Sequence, residues 1–295
     1  MRRRRFLALA AAFACTPRGA RAGTWQGRAL GAEVSVTLHG PRAEVDAALA
    51  EVPALLDRIE RTFSLYDPNS ELSRLNRTGR LPSPSPWMRA LVAEADAAHR
   101  LTGGLFDPTV QPLWRALAER GDAAAARRHV GWQRVRRADC IRLEAGQALT
   151  FNGIAQGFAT DTVRDRLAER GFTRALIDIG EQAALGGPWR LGLVDPDGGP
   201  LGQRTLHGGA IATSSPGALR LRPGDRDGDD GHILAPDGRA PLWSTLSVEA
   251  SRATRADALS TAAVFLDRAA LARLRTRARL ARITAVDAAG DLSTL

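Results

Sequence analysis

Apolar and polar residues alternate along this chain with two different periods. From Glu33 to Leu38, Val34, Val36 and Leu38 alternate with polar positions, which predicts a half-buried strand. Between residues 43 and 62, Val45, Leu49, Val52, Leu55, Leu56 and Ile59 recur at helical spacing, with Pro53 as an expected kink. The stretch 64–85 keeps neither period and leads into Pro82-Ser83-Pro84-Ser85-Pro86. It predicts a loop with a short helix at 71–76. Residues 87–101 regain the helical pattern, which Thr102-Gly103-Gly104 stops, and 110–130 predict one or two Ala-rich helices.

The second half reads differently. A short strand at 149–151 runs into Asn152-Gly153, and an amphipathic helix at 161–170 ends at Gly171. Strands are expected at 174–179, 189–194, 209–213, 218–221 and 245–248, helices at 254–265 and 271–280, and a last strand at 281–286. Hairpin-like strands mixed with helices, without regular βαβ alternation, predict an α+β fold of mixed, largely antiparallel sheets with packed helices. With no long linker and no internal repeat, residues 23–295 read as one domain.

The first residues read as an address. Arg2-Arg3-Arg4-Arg5 precede nine apolar residues, Phe6 to Ala14, and Ala20-Arg21-Ala22 offers small residues at a peptidase site. Nine residues are too few for a hydrocarbon core that needs about 20. Residues 1–22 are therefore expected to be an export signal, and the mature chain to lack a transmembrane span and to work in the periplasm. Arg3-Arg4-Arg5-Phe6-Leu7 fits a twin-arginine signal, and an ordinary secretory signal is the alternative.

Composition narrows the chemistry. All 41 cations are Arg, so a P-loop lysine and a Schiff-base lysine are excluded. Two Cys, Cys15 and Cys140, exclude a four-Cys zinc site and a disulfide scaffold. The net charge is +9, and residues 1–22 hold six Arg and no acid, leaving +3 on the mature chain. That balance does not call for a nucleic acid.

Three segments resist a purely structural explanation. Gly103-Gly104-Leu105-Phe106-Asp107-Pro108 permits close backbone approach to a ligand. Phe151-Asn152-Gly153-Ile154-Ala155-Gln156-Gly157 passes through a glycine turn into a helix, where free N–H groups suit phosphate. Asp257 and Thr261 lie four apart, so they share one helix face and offer a carboxylate and a hydroxyl, hard oxygen donors suited to Mg²⁺. Each has an ordinary alternative: a helix cap, a connecting turn, an acid near a helix N-terminus.

Taken in order, these segments resemble the ApbE family of FAD:protein FMN transferases. The resemblance runs from Leu30-Gly31-Ala32 through Phe63-Ser64-Leu65-Tyr66-Asp67-Pro68 and Gly104-Leu105-Phe106-Asp107-Pro108-Thr109. It continues through Asn152-Gly153-Ile154-Ala155-Gln156-Gly157, Ile211-Ala212-Thr213-Ser214, His232-Ile233 and Asp257-Ala258-Leu259-Ser260-Thr261. It implies Mg²⁺-dependent transfer of FMN from FAD to a Thr or Ser hydroxyl of an acceptor protein, with release of AMP. It also implies that Leu30, Tyr66, Leu105, Phe106, Asp107, Thr150, Gln156 and Leu234 line the FAD site. Gly153, Asp257 and Thr261 would hold the metal, and His232 and Asp257 are the implied catalytic groups. The implied acceptors are flavoproteins of respiratory membrane complexes: Na⁺-pumping quinone reductases, Rnf-type complexes or nitrous-oxide reductase regulators. The chain departs from the family pattern at Thr150, Gln156, Glu181-Gln182, Ser215 and Ala235. An FAD pyrophosphatase, a non-catalytic flavin carrier and an exported protein that binds no flavin are the competing readings.

Overall fold

The computed structural model describes residues 22–196, 198–221 and 231–295. The signal segment, apart from Ala22, and most of the acidic loop Asp225–Gly231 lie outside the described residues. The described chain opens with a hairpin, β1 (Ala22–Ala29) and β2 (Ala32–His39), whose turn at Leu30-Gly31 has positive φ at both residues. The long helix α1 (Arg42–Phe63) follows, then α2 (Glu71–Thr78), β3 (Arg80–Leu81) and α3 (Pro86–Leu101). The Ala-rich stretch forms α4 (Gln111–Glu119) and α5 (Ala123–Arg127). Two short strands, β4 (Arg136–Arg137) and β5 (Ile141–Arg142), join β3 in a small sheet.

The second half contains α6 (Ala155–Glu169), β6 (Ala175–Asp178), β7 (Gln182–Leu185), the hairpin β8 (Trp189–Asp195) and β9 (Gly199–Leu206), and β10 (Gly209–Ser214). It ends with β11 (Thr245–Ala250), α7 (Ala253–Ala263), α8 (Arg268–Arg277), β12 (Arg282–Val286) and β13 (Leu292–Thr294).

Eight strands form one antiparallel sheet in the order β1-β2-β6-β7-β10-β11-β12-β13. This is the α+β architecture expected from the mixture of hairpins and helices. Alternation assigns the two faces. Val36, Ile177, Ala212 and Val248 join the main core with residues of α1, α3, α6 and α7. Leu176, Ala184 and Ile211 point the other way and pack against Trp189, Leu191, Leu193 and Leu206 of the β8–β9 hairpin. The sheet is thus covered by helices on one face and by a two-stranded flap on the other.

Several expected boundaries shift. Residues 149–151 form no strand: Phe151 instead accepts the amides of Ile154 and Ala155 and opens a helix six residues earlier than the expected Asp161. The reason is burial. Helix α6 hides Ala155, Gly157, Ala159, Thr160, Asp161, Val163 and Leu167, so its first turns carry no polar face for periodicity to reveal. Residues 218–221 are likewise not a strand; Pro216–Ala218 is a 3₁₀ turn, followed by a single bridge between Arg220 and Gly231. Pro53 lies within a helix assigned without a break. It sits on the exposed side, where water can satisfy the carbonyl that its missing N–H leaves free.

Candidate active site

Two helices and one turn build the centre of the site. Asp257 and Thr261 lie one turn apart on α7, well inside the helix rather than at its N-terminus, so an N-terminal dipole role does not explain the acid. The start of α7 is fixed by α6. Asp161 accepts the amides of Ala253 at 3.0 Å and Thr254 at 2.9 Å, and the Thr254 hydroxyl at 2.7 Å. This capping carboxylate comes from a neighbouring helix and was invisible as a local sequence signal.

Gly157 allows α6 and α7 to cross closely. A Cβ there would lie 2.4 Å from the Ala253 carbonyl oxygen and 2.8 Å from the Asp257 Cβ. Its amide donates to Asp257 Oδ2 at 2.9 Å. The Gly153 carbonyl faces Thr261 Oγ1 at 3.5 Å, and a Cβ at Gly153 would meet that hydroxyl at 2.8 Å. Glycine at 153 therefore keeps open the space in front of the carbonyl and the hydroxyl.

Electrostatics mark this corner. Asp257 is buried, one of its oxygens accepts no hydrogen bond among the described residues, and burial pushes its carboxyl well above the usual carboxylate range. Glu181 is also buried, and desolvation together with the Asp257 charge raises it strongly. Nearby, Asp178 is pushed up to about 6 by burial. Among the described residues no three His, Cys, Asp or Glu side chains converge as a metal cluster. The donor set that does converge is mixed: a carboxylate, a hydroxyl and a carbonyl. That set, with an Asp257 oxygen that accepts no hydrogen bond among the described residues, fits a hard divalent cation such as Mg²⁺.

Backbone and side-chain hydrogen bonds join the surrounding segments to one another. The Thr150 amide donates to the Pro108 carbonyl at 2.8 Å, joining the 105–109 segment to the 150–153 turn. Asn76 of α2 clamps Leu149 through both of its side-chain polar atoms, at 2.8 and 2.7 Å, and so joins α2 to the segment that leads into the 150–153 turn. Ser214 at the end of β10 meets Ser260 of α7, hydroxyl to hydroxyl, at 2.8 Å. The His232 backbone amide donates to the Leu219 carbonyl at 3.0 Å.

A model of the ApbE family matches residues 30–284, which is most of the chain. The chain belongs to the ApbE family. An FAD:protein FMN transferase of Treponema pallidum is 29% identical over 276 residues, 79% of this chain and 75% of that protein. One of Chlamydia trachomatis is 41% identical over 68 residues, spanning only 22% of either chain. The flavin transferase ApbE from Vibrio cholerae superposes with a TM-score of 0.80 at 22% identity, covering 94% of this chain and 97% of that one, and so shares its fold.

Against this ApbE frame, the expected site residues separate into groups. Gly153, Asp257 and Thr261 come together as described. Leu105, Phe106 and Asp107 are buried, and the Asp107 carboxylate is already engaged: it accepts the Thr109 amide and hydroxyl at 2.8 and 2.5 Å and the Trp132 amide at 3.0 Å. Asp107 thus fastens its own loop, and the Phe106 amide and carbonyl are also engaged, by the Thr102 hydroxyl and the His99 ring. Gln156 lies against Gly180, whose Cα is so close that a Cβ would meet the Gln156 amide nitrogen at 2.7 Å.

Tyr66 is 82% exposed, which leaves its ring free to cover a flat ligand. Leu30, at the β1–β2 turn, donates its amide to Glu60 at 2.7 Å. Thr150 and Leu234 are partly buried, and no hydrogen bond among the described residues ties Leu234 or His232 to Asp257, Thr261 or Gly153. Glu181 and the Ser214–Ser260 pair were not foreseen as site residues. For Glu181 the only sequence signal was its departure from the family pattern.

Proposed function

We propose that the protein transfers FMN from FAD to a Thr or Ser hydroxyl of an acceptor flavoprotein, with Mg²⁺ and with release of AMP. The observation that carries this reading is the corner formed by Gly153, Asp257 and Thr261, set between a glycine turn and a close helix crossing. Mg²⁺ bound there would neutralise charge developing on the diphosphate and on the departing AMP. Asp257 would hold it through the oxygen that accepts no hydrogen bond, with the Thr261 hydroxyl and the Gly153 carbonyl completing the protein share. The amide of Gly157 keeps the other Asp257 oxygen fixed, so the ligand is oriented before substrate arrives.

The reaction forms a bond from the acceptor hydroxyl oxygen to the FMN phosphorus and breaks the phosphorus–oxygen bond to AMP. The hydroxyl proton must leave, and His232 is suited to take it. Its Nδ1 lies 3.3 Å from the Leu219 carbonyl and donates to it, and the Pro216 backbone also interacts with the ring. Burial lowers its basicity below the ordinary imidazole value, so the ring is neutral near pH 7. General-base assistance of this kind contributes about 10²–10⁴ in rate. The exposed Tyr66 ring offers aromatic surface for the isoalloxazine, and Gln156 an amide for a phosphate oxygen.

The signal-like residues 1–22 support export, and so a periplasmic acceptor such as a flavoprotein of a respiratory membrane complex. No helix among the described residues is long and apolar enough to cross a membrane.

The test is incubation with FAD, Mg²⁺ and a candidate acceptor, followed by in-gel flavin fluorescence and AMP release. Covalently fluorescent acceptor with stoichiometric AMP supports transfer. AMP and free FMN without labelling points to hydrolysis, and intact bound FAD points to a carrier.

A further inference from the structure

We propose that Glu181 is an additional protein ligand of the divalent cation, reaching the corner from the start of β7 beside Asp257. The inference deepens the cation reading above and rests on it. Strand β7 pairs with β10 only from Gln182 onward, opposite Ile211. Past that point the Thr213 amide has no strand partner on this side, and it donates to Glu181 Oε2 at 3.1 Å. The Glu181 carbonyl accepts the Thr160 hydroxyl of α6 at 3.0 Å, which fixes the backbone one helical turn beyond Gln156 and Gly157. Glu181 is therefore held at both ends.

One oxygen of this carboxylate is engaged; the other accepts no hydrogen bond among the described residues, although the residue is buried. Asp257 repeats the arrangement, one oxygen on the Gly157 amide and one uncommitted. Neither carboxylate forms an ion pair among the described residues. The fold brings the two segments together: Thr213, whose amide holds Glu181, is followed by Ser214, whose hydroxyl meets Ser260 of α7 at 2.8 Å, one turn from Asp257. Neighbouring buried carboxylates are costly unless a proton or a cation neutralises them, and a cation would satisfy both at once. Mg²⁺ takes about six oxygens in near-octahedral geometry. The Gly153 carbonyl, Thr261 hydroxyl, Asp257 and Glu181 supply four donors and leave the rest to diphosphate oxygens or water.

The competing role for Glu181 is a cap on the Thr213 amide. Glu181→Gln separates the two, because its amide oxygen still accepts from Thr213 while the charge is gone. Mn²⁺ alone is titrated into the flavin-free protein, with free Mn²⁺ read by electron paramagnetic resonance and melting recorded without metal. Glu181→Gln is expected to melt no lower than wild type and to bind Mn²⁺ about 10–100-fold more weakly. Glu181→Ala, which removes cap and charge together, is expected to lose the same affinity.

Wild-type Mn²⁺ affinity in Glu181→Gln, with affinity lost in Asp257→Asn, overturns the proposal and leaves Glu181 a cap. Wild-type affinity in Asp257→Asn as well overturns the cation reading itself.

Discussion

Gly157→Ala tests whether the spacing of two helices sets the chemistry. The added Cβ would lie 2.4 Å from the Ala253 carbonyl oxygen, 2.7 Å from its carbon and 2.8 Å from the Asp257 Cβ. Two of these atoms are backbone, so no side-chain rotation relieves the contact. Ordinary carbon–oxygen separation is about 3.3–3.6 Å, so α7 must retreat by roughly 1 Å. Overpacking of this kind costs about 1–3 kcal/mol. Exchange of Gly for Ala within a helix returns about 1 kcal/mol of that. The net loss, about 0–2 kcal/mol, corresponds to a fall in melting temperature of at most roughly 8 °C for a domain of this size. Turnover should fall much further. Gly157 also aims Asp257, and misplacing a catalytic group by about 1 Å costs on the order of 10² in rate. Thermal melts alongside initial rates of AMP release, measured well below the transition, separate the two effects. A variant that melts lower yet turns over at the wild-type rate would refute the argument that helix spacing sets the ligand geometry.

Further outcomes follow from the same geometry. Asp257→Asn should abolish Mg²⁺-dependent turnover and the Mg²⁺-induced rise in melting temperature, both read on one preparation. His232→Ala should lower kcat by about 10²–10⁴ with little change in FAD affinity by fluorescence quenching. The acid limb of the wild-type rate profile should lie below pH 6.5, because burial lowers the imidazole pKa. Tyr66→Ala should raise the KM for FAD without shifting the melting temperature, since the ring is exposed. Asp178 is raised from 3.8 to about 6, so its stabilising contribution is complete below about pH 4 and lost as pH rises through about 6. Asp178→Asn should therefore flatten the pH–stability curve and stabilise the metal-free protein at pH 8 by roughly 2–3 kcal/mol in denaturant titrations.

The sequence was most informative where one face of an element is wet. Val34, Val36 and Leu38 alternate because β2 packs core on one side only, and α1 shows its stripe for the same reason. The first turns of helix α6 and most of strand β7 lack a wet face, so no period marks where α6 starts. Asp257 and Thr261 were legible because both lie on one helix, four residues apart. Glu181 was not. Its nearness to Asp257 comes from β7 lying beside β10 and α7 packing over them, a relation across 76 positions of sequence that no local pattern encodes.

Asp161 fastens the first turn of α7 to α6, and Gly157 lets the same two helices touch, so the parts that carry Asp257 behave as a single block. Accommodation of a bulky dinucleotide then falls to the periphery, above all to the solvent-facing ring of Tyr66 and its loop. Such a division of labour lets the outer rim drift toward new acceptors over evolutionary time while the inner grip stays unaltered.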